Sequence, residues 1–166
     1  MFGRRDNARR TGPLQIGVVG ASACEPDVEE LAYEVGAEIA RQGAVLLCGG
    51  LGGVMEAAAK GAREHGGRTV GILPGPSARE ANPFIDLRIV THMGHARNAV
   101  LVRSSDAVIA VSGGYGTLSE IALALKIGIP CIGLHTWDLG PDIVPAQEPI
   151  EAVRLALEKI RARGVL

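Results

Sequence analysis

Short apolar runs alternate with segments of helical periodicity along most of this chain, and glycine stands at most of the junctions. The runs at 14–19, 44–48, 69–73 and 107–111 are continuously apolar or nearly so, the pattern of strands buried on both faces. Two more, 87–91 and 130–135, complete a set of predicted strands. After the first strand Pro26 stands where a helix would begin, and Val28, Leu31, Ala32, Val35 and Ile39 recur at helical spacing until Gly43 ends the segment. Further helices are predicted over 53–64, closed by Gly66-Gly67, then around 96–103, over 121–127 and over 148–163. Residues 74–86, rich in proline and polar side chains, read as a loop. Strands alternating with helices predict an α/β fold, a doubly wound and mostly parallel sheet with helices on both faces. Residues 14–166 form one domain on this reading, preceded by a solvated, mobile tail over 1–13. One helix breaks the pattern. Residues 121–125 are apolar on every side, whereas a helix on the outside of a sheet normally shows a polar stripe. A second subunit is the simplest cover, so a homodimer or larger assembly is expected.

Two glycine-rich turns carry the candidate chemistry. The strand at 107–111 runs into Ser112-Gly113-Gly114-Tyr115-Gly116-Thr117-Leu118-Ser119-Glu120, and the strand at 44–48 runs into Gly49-Gly50-Leu51-Gly52-Gly53-Val54-Met55-Glu56. A glycine-rich passage from strand to helix lets backbone N–H groups converge on one point, where the positive end of the helix dipole adds its field. In an open parallel sheet such turns face the crevice outside the carboxyl ends of the strands. Gly113, Gly114, Tyr115, Gly116 and Thr117 on one turn, and Gly49, Gly50, Gly52 and Gly53 on the other, are therefore the expected phosphate- or ligand-binding residues. Glu56 and Glu120 are each expected beside a helix N-terminus, which would keep Glu120 ionised at neutral pH. The plainer reading of each glutamate is a complement to its helix dipole, and Thr117-x-x-Glu120 has the spacing of a capping box. The first strand ends in Gly17-Val-Val-Gly20-Ala21-Ser22, a third loop for the same crevice in which Gly20 and Ser22 could meet a phosphate. It matches a dinucleotide fingerprint only loosely. Arg97 and Asn98 stand near the start of the helix around 96–103, and a guanidinium there suits bidentate phosphate recognition.

Composition narrows the choices. The 17 basic and 18 acidic residues leave a net charge of −1, which gives no bias toward nucleic acid or a membrane surface. Single-strand binders need a basic groove and stacking surfaces, and five aromatic residues are few. No apolar run approaches the ~20 residues of a membrane span. Cys24, Cys48 and Cys131 are odd in number and lack metal-site spacing, which fits small buried residues in a reducing, cytoplasmic compartment. His92 and His95 have no further ligand spaced to join them, so no metal is expected. Lys60, Lys126 and Lys159 all fall inside predicted helices, which disfavours a Schiff-base enzyme using pyridoxal phosphate.

The two turns, the intervening Val70-Gly-Ile-Leu-Pro74 and the block from His95 to Glu120 resemble the Rossmann-like superfamily that contains the Lonely Guy phosphoribohydrolases, the molybdenum-cofactor carrier proteins and the DNA-processing protein A group. Its members have often been mislabelled lysine decarboxylases. Lonely Guy enzymes release the base from a nucleoside 5′-monophosphate, and their signature is Pro-Gly-Gly-x-Gly-Thr-x-x-Glu with an upstream Arg-Lys pair. Gly113, Gly114, Gly116, Thr117 and Glu120 match it, and Arg97 matches the arginine. The resemblance then implies Glu120 and Arg97 as catalytic residues. Glu120 would stabilise a ribosyl cation or activate water, Arg97 would hold the 5′-phosphate, and Glu56 would help position the ribose. Ser112 stands in place of the signature proline and Asn98 in place of the lysine, and both departures resemble the carrier-like branch. That branch implies a non-catalytic carrier or sensor of a phosphorylated heterocycle such as molybdenum cofactor. Either way the expected ligand is a nucleotide, a phosphate or that cofactor, with no further cofactor required.

Overall fold

The computed structural model describes residues 12–164. In chain order the strands are β1 (Gln15–Val19), β2 (Val45–Cys48), β3 (Arg68–Leu73), β4 (Leu87–Val90), β5 (Ala107–Val111), β6 (Cys131–Leu134) and β7 (Val144–Ala146). The helices are α1 (Pro26–Arg41), α2 (Val54–Glu64), α3 (Arg97–Ser104), α4 (Tyr115–Ile127) and α5 (Pro149–Ala162). All seven strands join one sheet in the order β4-β3-β2-β1-β5-β6-β7. Every neighbouring pair is parallel. The expected doubly wound α/β architecture is what forms.

The alternation of side chains along the strands builds two cores. Ile16, Val18, Leu46, Ile109 and Ile132 pack on one face under α1, α2 and α5. Val19, Ile72, Val108 and Ala110 face the other way, toward Leu101 and Val102 of α3 and Ile121 and Ala124 of α4. A fully buried isoleucine or leucine contributes roughly 1.5–3 kcal/mol, so the central strands hold most of the apolar stabilisation. Strand order reverses direction between β1 and β5, and the helices that follow them, α1 and α4, pack on opposite faces of the sheet, which leaves a crevice at the strands' carboxyl ends.

The structure corrects three expectations. Helix α4 begins at Tyr115, well before residue 121, because the turn from β5 takes only Ser112, Gly113 and Gly114. Gly114 is its N-cap, and no side chain caps the helix, so Thr117 and Glu120 lie inside it and form no capping box. β7 was not foreseen: it is short, carries Pro145, and lies at the sheet edge, where a missing N–H costs no ladder bond. The loop over 74–86 also contains a turn of 3₁₀ helix, Ala78–Glu80, capped by the Ser77 hydroxyl. Most of the expected tail, residues 1–11, lies outside the described residues, and Gly12 and Pro13 are exposed. On α4 the chain itself buries Thr117, Glu120, Ile121 and Ala124, while Ala122 is exposed and Leu123, Leu125 and Ile127 are half-buried. Among the described residues no helix is long and apolar enough to cross a membrane.

Candidate functional site

A cleft of about 470 Å³ opens at the β1/β5 switch point. Its walls come from the ends of β1 and β2, the start of α2, the segment leading into α3, and the first turns of α4. Gly20, Ser22, Gly49, Arg97, Asn98, Gly114, Gly116, Thr117 and Glu120 all line it. Several lining residues fall outside the set expected to bind the ligand. Val18, Leu51, Met55 and Pro74 give it an apolar part, and His95 reaches it from the α3 approach.

The β5–α4 turn is held open toward this cleft. Ser112 has φ of 49° and Gly113 of 108°, so the chain reverses sharply just after the strand. A Cβ on Gly113 would collide with the Thr117 side chain. The loop after β6 braces the turn from behind: the Thr136 hydroxyl donates to the Ser112 carbonyl (2.5 Å) and the Trp137 indole N–H to the Gly114 carbonyl (3.3 Å). The amides of Tyr115, Gly116 and Thr117 fall in the first turn of α4, where the helix offers them no carbonyl. They are free to bind an anion. Ser112 also explains one departure from the Lonely Guy signature. Proline holds φ near −65° and has no N–H, whereas Ser112 has a positive φ and donates its N–H to Leu134 O at 3.0 Å.

Arg97 is deeply placed, 8% exposed, and its position is built by a glycine. Any Cβ on Gly49 would run into the guanidinium and the Met55 sulfur. Arg97 Nη1 donates to the carbonyls of Gly49 (2.7 Å) and Ile72, at the ends of β2 and β3. Its Nε is buried without a partner. The head group is thus locked by two backbone acceptors and still has donor capacity left over, the arrangement expected of a residue waiting for an anion.

Glu120 is 7% exposed and lines the same cleft. It forms no salt bridge within 4 Å of Arg97, yet the two side chains act on each other electrostatically. Burial pushes the Glu120 carboxyl up to about 7, opposed by the positive charge of Arg97. The expectation of a glutamate kept ionised at neutral pH is met only in part, for a positional reason. Glu120 sits past the first turn of α4, where the dipole has faded, and in a desolvated wall. Burial likewise works against the charge on Arg97, and Glu120 supports it.

The β2–α2 turn supplies less to the cleft than its sequence suggests. Gly49 lines it, but Gly50 is packed against Leu73, and Gly52 and Gly53 lie against the backbone of Ala21, Ser22 and Ala23. Glu56 does not line the cleft. It faces a separate groove with Glu29, Glu30, Tyr33, Lys60 and Phe84, because α2 starts at Val54 and its next residue, Met55, takes the cleft-facing position. Gly113 and Tyr115 flank the cleft without lining it. Among the described residues no group of histidine, cysteine and acidic side chains could hold a metal ion.

Known proteins are similar to this chain in sequence and in fold. An uncharacterised protein of Archaeoglobus fulgidus is 58% identical over 115 residues, covering 69% of this chain and 76% of that one. A cytokinin riboside 5′-monophosphate phosphoribohydrolase of Mycobacterium tuberculosis is 42% identical over 130 residues, covering 75% of this chain and 68% of the enzyme. The solved structure of the molybdenum cofactor binding protein of Rippkaea orientalis superimposes with a TM-score of 0.87 at 39% identity, over 91% of this chain and 99% of that one. The resemblance to Lonely Guy enzymes and cofactor carriers holds across the domain. With the family model matched over residues 13–160, the chain belongs to the SLOG cluster4 family.

Proposed function

We propose that this protein binds a phosphorylated planar heterocycle, a nucleotide or the molybdenum cofactor, and holds it without turnover. One observation carries the reading: a locked, buried Arg97 with an unpartnered Nε shares a switch-point cleft with the free amides of the α4 N-terminus. The amides and Arg97 would hold the phosphate, and the apolar wall of Val18, Leu51 and Met55 would pack against the sugar or other link next to it. The ligand is the cargo, so the reading asks for no resident cofactor. Asn98, buried in the wall where the phosphoribohydrolases have lysine, supports binding over chemistry. So does Glu120, which at neutral pH lacks the full negative charge that would stabilise a developing ribosyl cation. The likeness to the Rippkaea orientalis protein points the same way.

Hydrolysis of an N-glycosidic bond is the second reading, supported by the carboxyl group of Glu120 in the cleft and by the Mycobacterium tuberculosis relative. It would convert a nucleoside 5′-monophosphate and water into free base and ribose 5-phosphate. Calorimetry and chromatography on a panel of nucleoside monophosphates separate the two. Saturable binding with no free base released is the expected result. Released base that disappears in Glu120→Gln would establish the hydrolase instead. We also propose that a second copy of the chain covers the half-buried Leu123, Leu125 and Ile127 of α4. A light-scattering mass at twice 17.2 kDa or more is expected. Three free thiols, two of them buried, support a cytoplasmic location.

A further inference from the structure

Few aromatic side chains are available to this protein, and two of them stand together in the open beside the anion-binding turn. Tyr115, the first residue of α4, is 83% exposed, and Trp137, the only tryptophan, is 36% exposed. Their rings lie 6.0 Å apart between centroids and 28° from parallel, an offset stack. Neither ring contributes to either hydrophobic core, so core packing does not explain them. The pair is also held in place. Trp137 Nε1 donates to the carbonyl of Gly114, the residue that precedes Tyr115 and lines the cleft, and the adjacent Thr136 is bonded to Ser112. Two adjoining segments, the start of α4 and the loop after β6, therefore carry free amides for a phosphate and, beside them, a braced and solvent-facing aromatic surface.

We propose that Tyr115 and Trp137 form a stacking platform for the flat ring of the ligand whose phosphate rests on the α4 amides. The platform selects ligands that join a phosphate to a planar heterocycle over ligands that carry phosphate on a bare sugar. Base–aromatic stacking is indifferent to ring identity because every heterocyclic base presents a π-face. The two residues accordingly set the class of ligand and not the particular ring. This inference rests on the anion-site reading above and adds a partner for the other end of the ligand.

Trp137 reports on the proposal directly, being the sole indole in the chain. Its emission and isothermal calorimetry are followed while the full-length protein is titrated with adenosine 5′-monophosphate and, separately, with ribose 5-phosphate. The expected result is saturable quenching by the nucleotide and about tenfold tighter binding of it than of the sugar phosphate, the order of one stacked base. Tyr115→Ala, which removes a ring but no hydrogen bond to the turn, is expected to remove that margin and leave ribose 5-phosphate affinity within about twofold of wild type. Trp137→Ala should lose the margin too and weaken both ligands further through the lost bond to Gly114. Trp137→Phe keeps a ring but loses the N–H to Gly114, and most of the margin should survive in it. A margin that persists in both alanine variants overturns the platform. If wild type binds ribose 5-phosphate with no advantage for the nucleotide, the platform fails and the anion site stands. If it binds neither, both readings fall.

Discussion

The two glycine-rich turns look alike as strings of letters and differ in what surrounds them. At the β2–α2 turn, Gly50, Gly52 and Gly53 are crowded: a side chain at 50 would meet Leu73, and side chains at 52 and 53 would meet the backbone of the β1–α1 loop. These glycines exist so that two loops can touch. Gly53 has φ of 60°, and the N–H of the next residue, Val54, bonds the Ala21 carbonyl at 3.0 Å. At the β5–α4 turn, Gly114 and Gly116 have nothing within 4 Å of where a Cβ would be, and both line the cleft. There the missing side chain leaves backbone amides uncovered. The glutamate at the end of each motif follows the same division. Glu120 is buried in the cleft wall and Glu56 is half-buried over another groove. One turn is architecture and the other is a site.

Substitutions can test that division, and the largest effect belongs to the crowded turn. Gly53→Val combines a left-handed backbone with a clash against main-chain atoms, and should cost about 3 kcal/mol or more in chemical denaturation. If that variant is as stable as wild type, the β2–α2 turn is not architectural. The matching change at the open turn, Gly114→Val, should cost at most about 1 kcal/mol as an altered N-cap. It should nonetheless weaken phosphate or nucleotide binding at least about tenfold by covering the amides. A folded Gly114→Val protein with unchanged affinity by calorimetry would remove the anion site.

Glu120 offers a pH-dependent test. Its carboxyl titrates at about 7 when folded, against 4.5 for the unperturbed group. The folded state therefore holds an extra proton between those values. Stability from this group is fully present below about 4.5 and is lost as pH rises toward 7, on the order of 3 kcal/mol. Glu120→Gln should flatten that slope and, by removing a negative charge from the cleft, bind phosphate more tightly than wild type at pH 8. Identical pH profiles for the two proteins would show that Glu120 is not a desolvated carboxyl. Smaller again is Ser112→Gly, which should stabilise the fold by about 1 kcal/mol by relieving a positive φ. Ser112→Pro, by contrast, should damage it. Smallest of all is Glu56→Gln, for which phosphate affinity should stay within about twofold of wild type; a large loss would return the second turn to the site.

Much of this was legible in the residues themselves. Apolar runs spaced by helical periodicity gave six of the seven strands and all five helices, because a strand buried on both faces and an amphipathic helix each leave a period that survives without tertiary context. β7 left no such period: a three-residue edge strand with a proline is recognisable only from the neighbour it pairs with. The start of α4 was hidden for a related reason, since Gly116 and Thr117 favour a turn locally and become helix only because β5 and the loop after β6 fix the chain on either side.

The sequence by itself determined the fold class, the family likeness and the places where phosphate-binding amides could form, since these depend on local spacing and backbone freedom. Only the tertiary structure decided which glycines face a ligand and which face the protein. It alone set Arg97 against the carbonyls of Gly49 and Ile72, and moved the Glu120 carboxyl toward neutrality by desolvating it. The physical reason is common to all three. Burial, electrostatic coupling and steric contact depend on residues remote along the chain, which no local pattern records.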